Sequence, residues 1–185
     1  MDSFKLALKF FADTSSSLTC EDLVPVFHAW IQSQAIPGHQ LIDVADYKHV
    51  INGPGVMLIA HEGHFGYDLA EGQPGLLYSR QRSMAGSFEQ KLHDVVATTQ
   101  SACRLIEQAL PGEIRFRTDK AVFRINDRLL APNTAETFRA VEPQLQAFFG
   151  NLLGAAVRLE HHADALRPFE VAVHFPRGGH RLSAR

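Results

Sequence analysis

Residues 61–68 read HEGHFGYD, which puts His61, Glu62, His64, Tyr67 and Asp68 within eight positions. Imidazole beside carboxylate supports two kinds of chemistry. It holds one tautomer ready for proton transfer, or it supplies ligands to a divalent metal such as zinc, manganese or iron. The helical HExxH motif of metalloproteases is a poor comparison, because it sets its histidines at i and i+4. Here they stand at i and i+3 around Gly63, in a strand-like context.

The neighbouring sequence gives this stretch a partner. Residues 41–50, LIDVADYKHV, are rich in β-branched and aromatic types, and Asn52-Gly53-Pro54-Gly55 is a turn signal. An even-length loop there gives a register in which opposed residue numbers add to about 107. Asp46 then faces His61, a candidate catalytic dyad. Asp43 faces His64, and with Glu62 and His49 forms a candidate metal cluster on the other side of the sheet. Each has a structural alternative: a buried Asp–His pair that only fixes register, and a solvated polar face.

Arginines form a second candidate. Residues 113–127 predict a hairpin about Asp119-Lys120, which would oppose Arg115 to Arg124 and place Arg117 on the same outer face. Guanidinium forks match phosphate and carboxylate, so Arg115, Arg117 and Arg124 are candidate anion ligands. Arg80 and Arg82 precede the helix that opens at Ser87, whose N-terminus is a further anion candidate. No G-x-S-x-G, P-loop or dinucleotide-binding glycine pattern occurs.

The elements that must position these residues follow from periodicity. Phe4, Leu6, Leu8 and Phe10 alternate with Lys5 and Lys9, as a half-buried strand requires. Leu23, Val26, Phe27, Trp30 and Ile31 mark a helix that Glu21 or Asp22 opens and that stops before Pro37-Gly38. Strands at 41–50, 56–69 and from 76 make an antiparallel meander. Ser87 with Gln90, and Asn133 with Glu136, are capping boxes ahead of two long helices, the second of which Pro143 should kink or split. Strands near 156–162 and 169–175 close the domain. His161 and His162 read as rim and surface, and Trp30, Phe148 and Phe149 as core. The expectation is one α+β domain over 1–176, with a mainly antiparallel sheet, about three long helices on one face, and a flexible tail at 177–185.

Composition bounds the function classes. With 185 residues, 45% apolar and 21% charged, the chain is an ordinary globular domain. A net charge of −2 argues against nucleic-acid binding through bulk charge. Cys20 and Cys103 read as buried free thiols of a reducing compartment. Lys5 and Lys9 interrupt the apolar start, and no run approaches the ~18 residues of a membrane span, so a cytoplasmic protein without membrane contact is expected.

The stretch LIDVADYKHVINGPGVMLIAHEGHFGYD, with GLLYSR after it and LAPNTAETF later, resembles a group of uncharacterised bacterial cytosolic proteins. The likeness spans most of the chain and implies a bacterial, cytoplasmic setting but no activity, cofactor or residue role. Three readings stay open: a small-molecule or metal-binding protein built on the 41–68 hairpin, with enzymatic activity an open question; a non-catalytic interaction module that forms a homo-oligomer through a sheet edge or helical face; and a phosphate- or anion-binding protein using the arginines.

Overall fold

Residues 6–12 carry the alternation of a strand with one wet face, yet β1 (Leu6–Ala12) is buried along its whole length on both sides. Its place in the sheet explains this. A computed structural model describes residues 5–47, 49–50 and 54–176. From β1 the chain passes through α1 (Cys20–Ser33) to a meander of β2 (Leu41–Asp46), β3 (Val56–Ala60), β4 (Gly63–Asp68) and β5 (Gly75–Arg80). Then follow α2 (Phe88–Ala109), β6 (Phe116–Ile125), α3 (Ala135–Leu153), β7 (Arg158–Glu160) and β8 (Phe169–His174). The sheet has the order β2-β3-β4-β5-β1-β6-β8-β7, and every neighbouring pair is antiparallel.

Because β5 and β6 both run against β1, they are parallel to each other, and parallel strands need a long crossover. α2 supplies it, passing over β1. In the same way α3 links β6 to β7 across β8. The apolar sides of all three helices join Leu6, Leu8 and Phe10 in one core cluster. The helices therefore cover one face of the sheet, as the sequence predicts. The other face presents Ala7, Lys9 and Phe11 of β1, with Lys120, Val122 and Arg124 of β6 and Glu170, Ala172 and His174 of β8.

The local signals are followed in part. Ser87 and Gln90 close the predicted capping box of α2, with Gln90 N–H donating to Ser87 Oγ at 3.2 Å and Ser87 N–H to Gln90 Oε1 at 2.8 Å. α1 opens at Cys20, one residue ahead of Glu21, with Thr19 as its cap, whose N–H and hydroxyl both donate to Asp22. The cap of α3 is Thr134 instead of Asn133, because Asn133 turns inward and binds His161 Nε2 at 2.8 Å. α3 continues through Pro143 as one element and ends at left-handed Gly154. Cys20 and Cys103 are buried and are not joined in a disulfide. The predicted tail, and Asn52 and Gly53 of the predicted turn, lie outside the described residues.

Two readings are corrected. The 113–127 segment is no hairpin: β6 runs unbroken from Phe116 to Ile125. Phe10 faces Ala121 while Ala12 faces Phe116, so β6 bulges where a turn was expected. Arg117 grips Asp119 within that bulge at 2.8 and 2.9 Å, which ties the chain locally without reversing it. The 56–69 run, in turn, is two strands with a tight reversal at His61-Glu62.

Gly75 sits where β5 meets β1. A Cβ there would lie 2.3 Å from Phe10 O, 2.9 Å from Phe11 Cα and 3.0 Å from Lys9 Cε. Gly75→Ala should cost about 1–3 kcal/mol through overpacking. Gly66→Ala, whose methyl would meet only Pro54 O at 3.5 Å and Pro54 Cβ at 3.9 Å, is the comparison. Urea unfolding should give a clearly lower midpoint for Gly75→Ala than for Gly66→Ala; equal midpoints would contradict the close approach.

Candidate binding cleft

The 61–68 stretch is organised by its turn. His61 N–H donates to Gln40 O at 2.9 Å, and Glu62 Oε2 accepts from Gln40 N–H at 2.8 Å. Leu41 thereby pairs with Ala60, and after a register shift Asp43 pairs with Ile59 and Asp46 with Val56. The expected register is not formed. Asp46 and His61 stand at opposite ends of the β2–β3 hairpin, so the candidate dyad is not assembled. Asp43 and His64 share a face but are separated by Ile59, which pairs with both. Glu62 is in the turn, and His49 is exposed beyond the end of β2. Among the described residues no three His, Cys, Asp or Glu side chains gather to hold a metal.

The arginines are also dispersed. Arg124 pairs across the sheet with Glu170, and Arg117 pairs with Asp119. Arg115 is exposed just before β6. Arg115 and Arg117 border a depression of about 1020 Å³ near the end of α2, whereas Arg124 borders a different cavity. Arg80 binds Asp94 of α2 at 2.8 Å.

That different cavity holds what sequence reading missed. It is a cleft of about 410 Å³ on the helix-free face, floored by β1, β6 and β8 and walled by residues 70–73 and 162–167. Lys9 lies in its floor at 4% exposure, and its ammonium is 3.1 Å from Asp68 Oδ2. The side chain passes over Gly75, where a Cβ would stand 3.0 Å from Lys9 Cε, to reach β4 beyond β5. Asp68 is oriented in turn by Ala70 N–H, which donates to Oδ1 at 2.9 Å. Burial lowers the Lys9 pKa below its ordinary value, with Arg124 adding to the effect and Asp68 opposing it.

The rest of the cleft is densely charged. Arg167 of one wall pairs with Glu71 of the other, bridging the cleft between segments 96 residues apart. Glu71 holds a left-handed backbone, φ 60°, to do so. Glu160 accepts from His162 at 3.2 Å and His174 at 3.1 Å, which holds its carboxyl below the usual range. Lys120 differs from the other cleft cations. Its ammonium stands 5.0 Å from the Phe11 ring centroid, and it has no carboxylate partner among the described residues. Lys9 approaches the same ring at 5.2 Å.

A second polar group is buried on the helix side. His39 Nε2 meets Tyr78 Oη at 2.7 Å, packed against Phe65, and burial pushes the Tyr78 hydroxyl pKa up. Neither cavity reaches it, and it reads as a satisfied core pair. His161 is half-buried, stacked on Phe138, while His162 is exposed. Comparison with protein-family models, curated proteins and solved structures finds no match for this chain.

Two outcomes follow for stability. Asp68→Asn leaves a buried ammonium without its counter-charge and should cost about 3–5 kcal/mol. Arg167→Ala removes an exposed pair and should cost about 0–1 kcal/mol. Chemical denaturation that found both equally mild would mean that Lys9 is not held by Asp68. Burial also holds His64 and His161 below 6.5. The unfolded chain therefore binds protons first as pH falls, and their contribution to stability is lost below that value. The urea midpoint should drop between pH 7.5 and 5.5, and drop less in His64→Leu, which also removes a buried unpartnered Nδ1. The same drop in both proteins would rule out His64 as a source.

Proposed function

We propose that this protein binds a small, polar organic molecule in the cleft over Lys9 and Asp68. The observation that carries this reading is a buried ion pair at the floor of an open, ligand-sized cleft. A charge pair is a costly way to lock two strands, since apolar residues of similar volume are often as stable or better. A perturbed lysine beside a carboxylate in a concavity is, however, a recurrent feature of functional sites. The charged walls favour a ligand with both an anionic and a hydrogen-bonding group. The bridge between Glu71 and Arg167 is exposed and weak, so it allows entry. A bacterial, cytoplasmic setting remains part of the proposal through the sequence resemblance.

The interaction-module reading draws some support from Ile42, Tyr47 and Val50, which are exposed on and beyond edge strand β2. That edge is blunted, however. Its register breaks between Leu41 and Asp43, and Asp43 Oδ1 takes up the Val44 N–H at 2.8 Å. The small-molecule reading is therefore preferred.

A thermal-shift screen of amino acids, oxo acids, dicarboxylates and sugar phosphates tests it. One class should stabilise the fold, by about 2.7 kcal/mol at a hundred times its dissociation constant. Ala172→Phe, which fills the cleft floor away from the ion pair, should abolish that shift. A screen with no stabilising compound, or a shift that survives Ala172→Phe, would reject the cleft as the binding site.

A further inference from the structure

We propose that Lys9 is a covalent carbonyl-capturing residue, forming an imine with a small oxo acid whose carboxylate seats on Lys120. This rests on the reading of the cleft as a ligand site and names the ligand's class.

The argument begins with charge. Lys9 and Asp68 form a buried pair, so any chemistry that neutralised the Lys9 nitrogen would strand a buried carboxylate. Imine formation does not neutralise it. The Lys9 ammonium first gives a proton to water or a solvent base. The free amine then attacks the carbonyl carbon, forming the C–N bond as the carbonyl π pair moves to oxygen, and the nitrogen passes one of its two protons to that oxygen. The carbinolamine takes up a second proton and loses water as the nitrogen lone pair forms the C=N bond. Overall, an ammonium and a ketone or aldehyde give an iminium and water. The positive charge is back on the same nitrogen in the product, and Asp68 again has its partner. No oxidant or reductant is needed.

The surroundings fit each stage. Asp68 is fixed by Ala70 N–H, so its other oxygen stays directed at the Lys9 nitrogen. Burial and the nearby Arg124 charge make the free amine easier to reach than in an exposed lysine. Val122 pairs with Lys9 across β1 and β6, and Ala172 with Val122, so an uncharged strip of floor leads from the Lys9 backbone away from the ion pair.

The acid group follows from pairing. Lys9, Arg124 and Arg167 each hold a carboxylate of the protein, and recruiting any of them for a ligand would break an existing pair. Lys120 needs no such exchange. Lys9 and Lys120 both approach the Phe11 ring, at 5.2 and 5.0 Å from its centroid, which keeps the two nitrogens within about 10 Å of each other. A separation near that limit suits an oxo acid whose carboxylate lies several carbons from its carbonyl, as the distal carboxylate of 2-oxoglutarate does, and a shorter one suits glyoxylate or pyruvate.

The test is reductive trapping of the full-length chain with glyoxylate, pyruvate and 2-oxoglutarate as probes and borohydride as reductant, followed by peptide mass mapping. Thermal shift is recorded in parallel without reductant. At least one probe should add to Lys9 in preference to Lys5, Lys48, Lys91 and Lys120. Lys120→Gln leaves the Lys9–Asp68 pair in place and should lower Lys9 trapping by that probe about tenfold, the value of a charged hydrogen bond. Trapping by acetaldehyde, which has no carboxylate, should change less than twofold. Adducts on the other lysines but not on Lys9 overturn the imine. Adducts on Lys9 that Lys120→Gln leaves unchanged overturn the oxo-acid assignment. Stabilisation without any Lys9 adduct overturns the imine but leaves the cleft as a ligand site, whereas neither stabilisation nor adduct overturns both.

Discussion

A central strand buried on both faces cannot carry a lysine unless something answers its charge. β1 is such a strand, and Lys9 is such a lysine. Desolvating an ammonium costs several kcal/mol even after the protein relaxes, and only a close, well-oriented carboxylate offsets it. Asp68 meets that need from two strands away. The requirement explains several features that otherwise look unrelated. Gly75 lets β5 close on the β1 backbone, where a Cβ would lie 2.3 Å from Phe10 O, and leaves the Lys9 stem its path, with Cε 3.0 Å from that Cβ position. The 70–72 turn follows Asp68 directly because its first N–H aligns the carboxylate. Arg124, on the neighbouring strand, must be held by Glu170 so that its own charge does not compete.

The same constraint links fold to cleft. Three crossover helices cover one side of the sheet and leave the other to loops. A helix over Lys9 would have made the floor inaccessible. The 162–167 and 70–73 segments instead stand at two sides and meet through one exposed pair. The result is a buried charge pair that solvent and small molecules can still approach.

Much of the architecture was legible in the sequence. Apolar periodicity located all three helices, and the Ser87–Gln90 box fixed the start of α2 exactly where hydrogen bonds close it. Antiparallel pairing followed from the turn signals. The site was less legible, for identifiable reasons. Register depended on the His61-Glu62 reversal and on the break at Leu41/Asp43, neither of which alternation reveals. The 113–127 segment looked like a hairpin because Asp119-Lys120 is turn-like, yet its strand is pinned between β1 and β8. Lys9 was assigned to a wet face because alternation reports which residues share a side, not whether that side is covered. Its partner lies 59 residues away, and only the crossovers on either side of β1 bring it near. Asp68 stands at the end of the 61–68 stretch, but no local spacing relates it to residue 9.

The most direct measurement is an NMR titration that follows the Lys9 side-chain nitrogen and the Asp68 carboxyl carbon together. The Lys9 signal should titrate below its ordinary 10.5, and the Asp68 carbon should shift at the same pH as its partner loses charge. A Lys9 midpoint at or above 10.5, with no response at Asp68, would describe a solvated lysine and contradict a buried pair at the floor of the cleft.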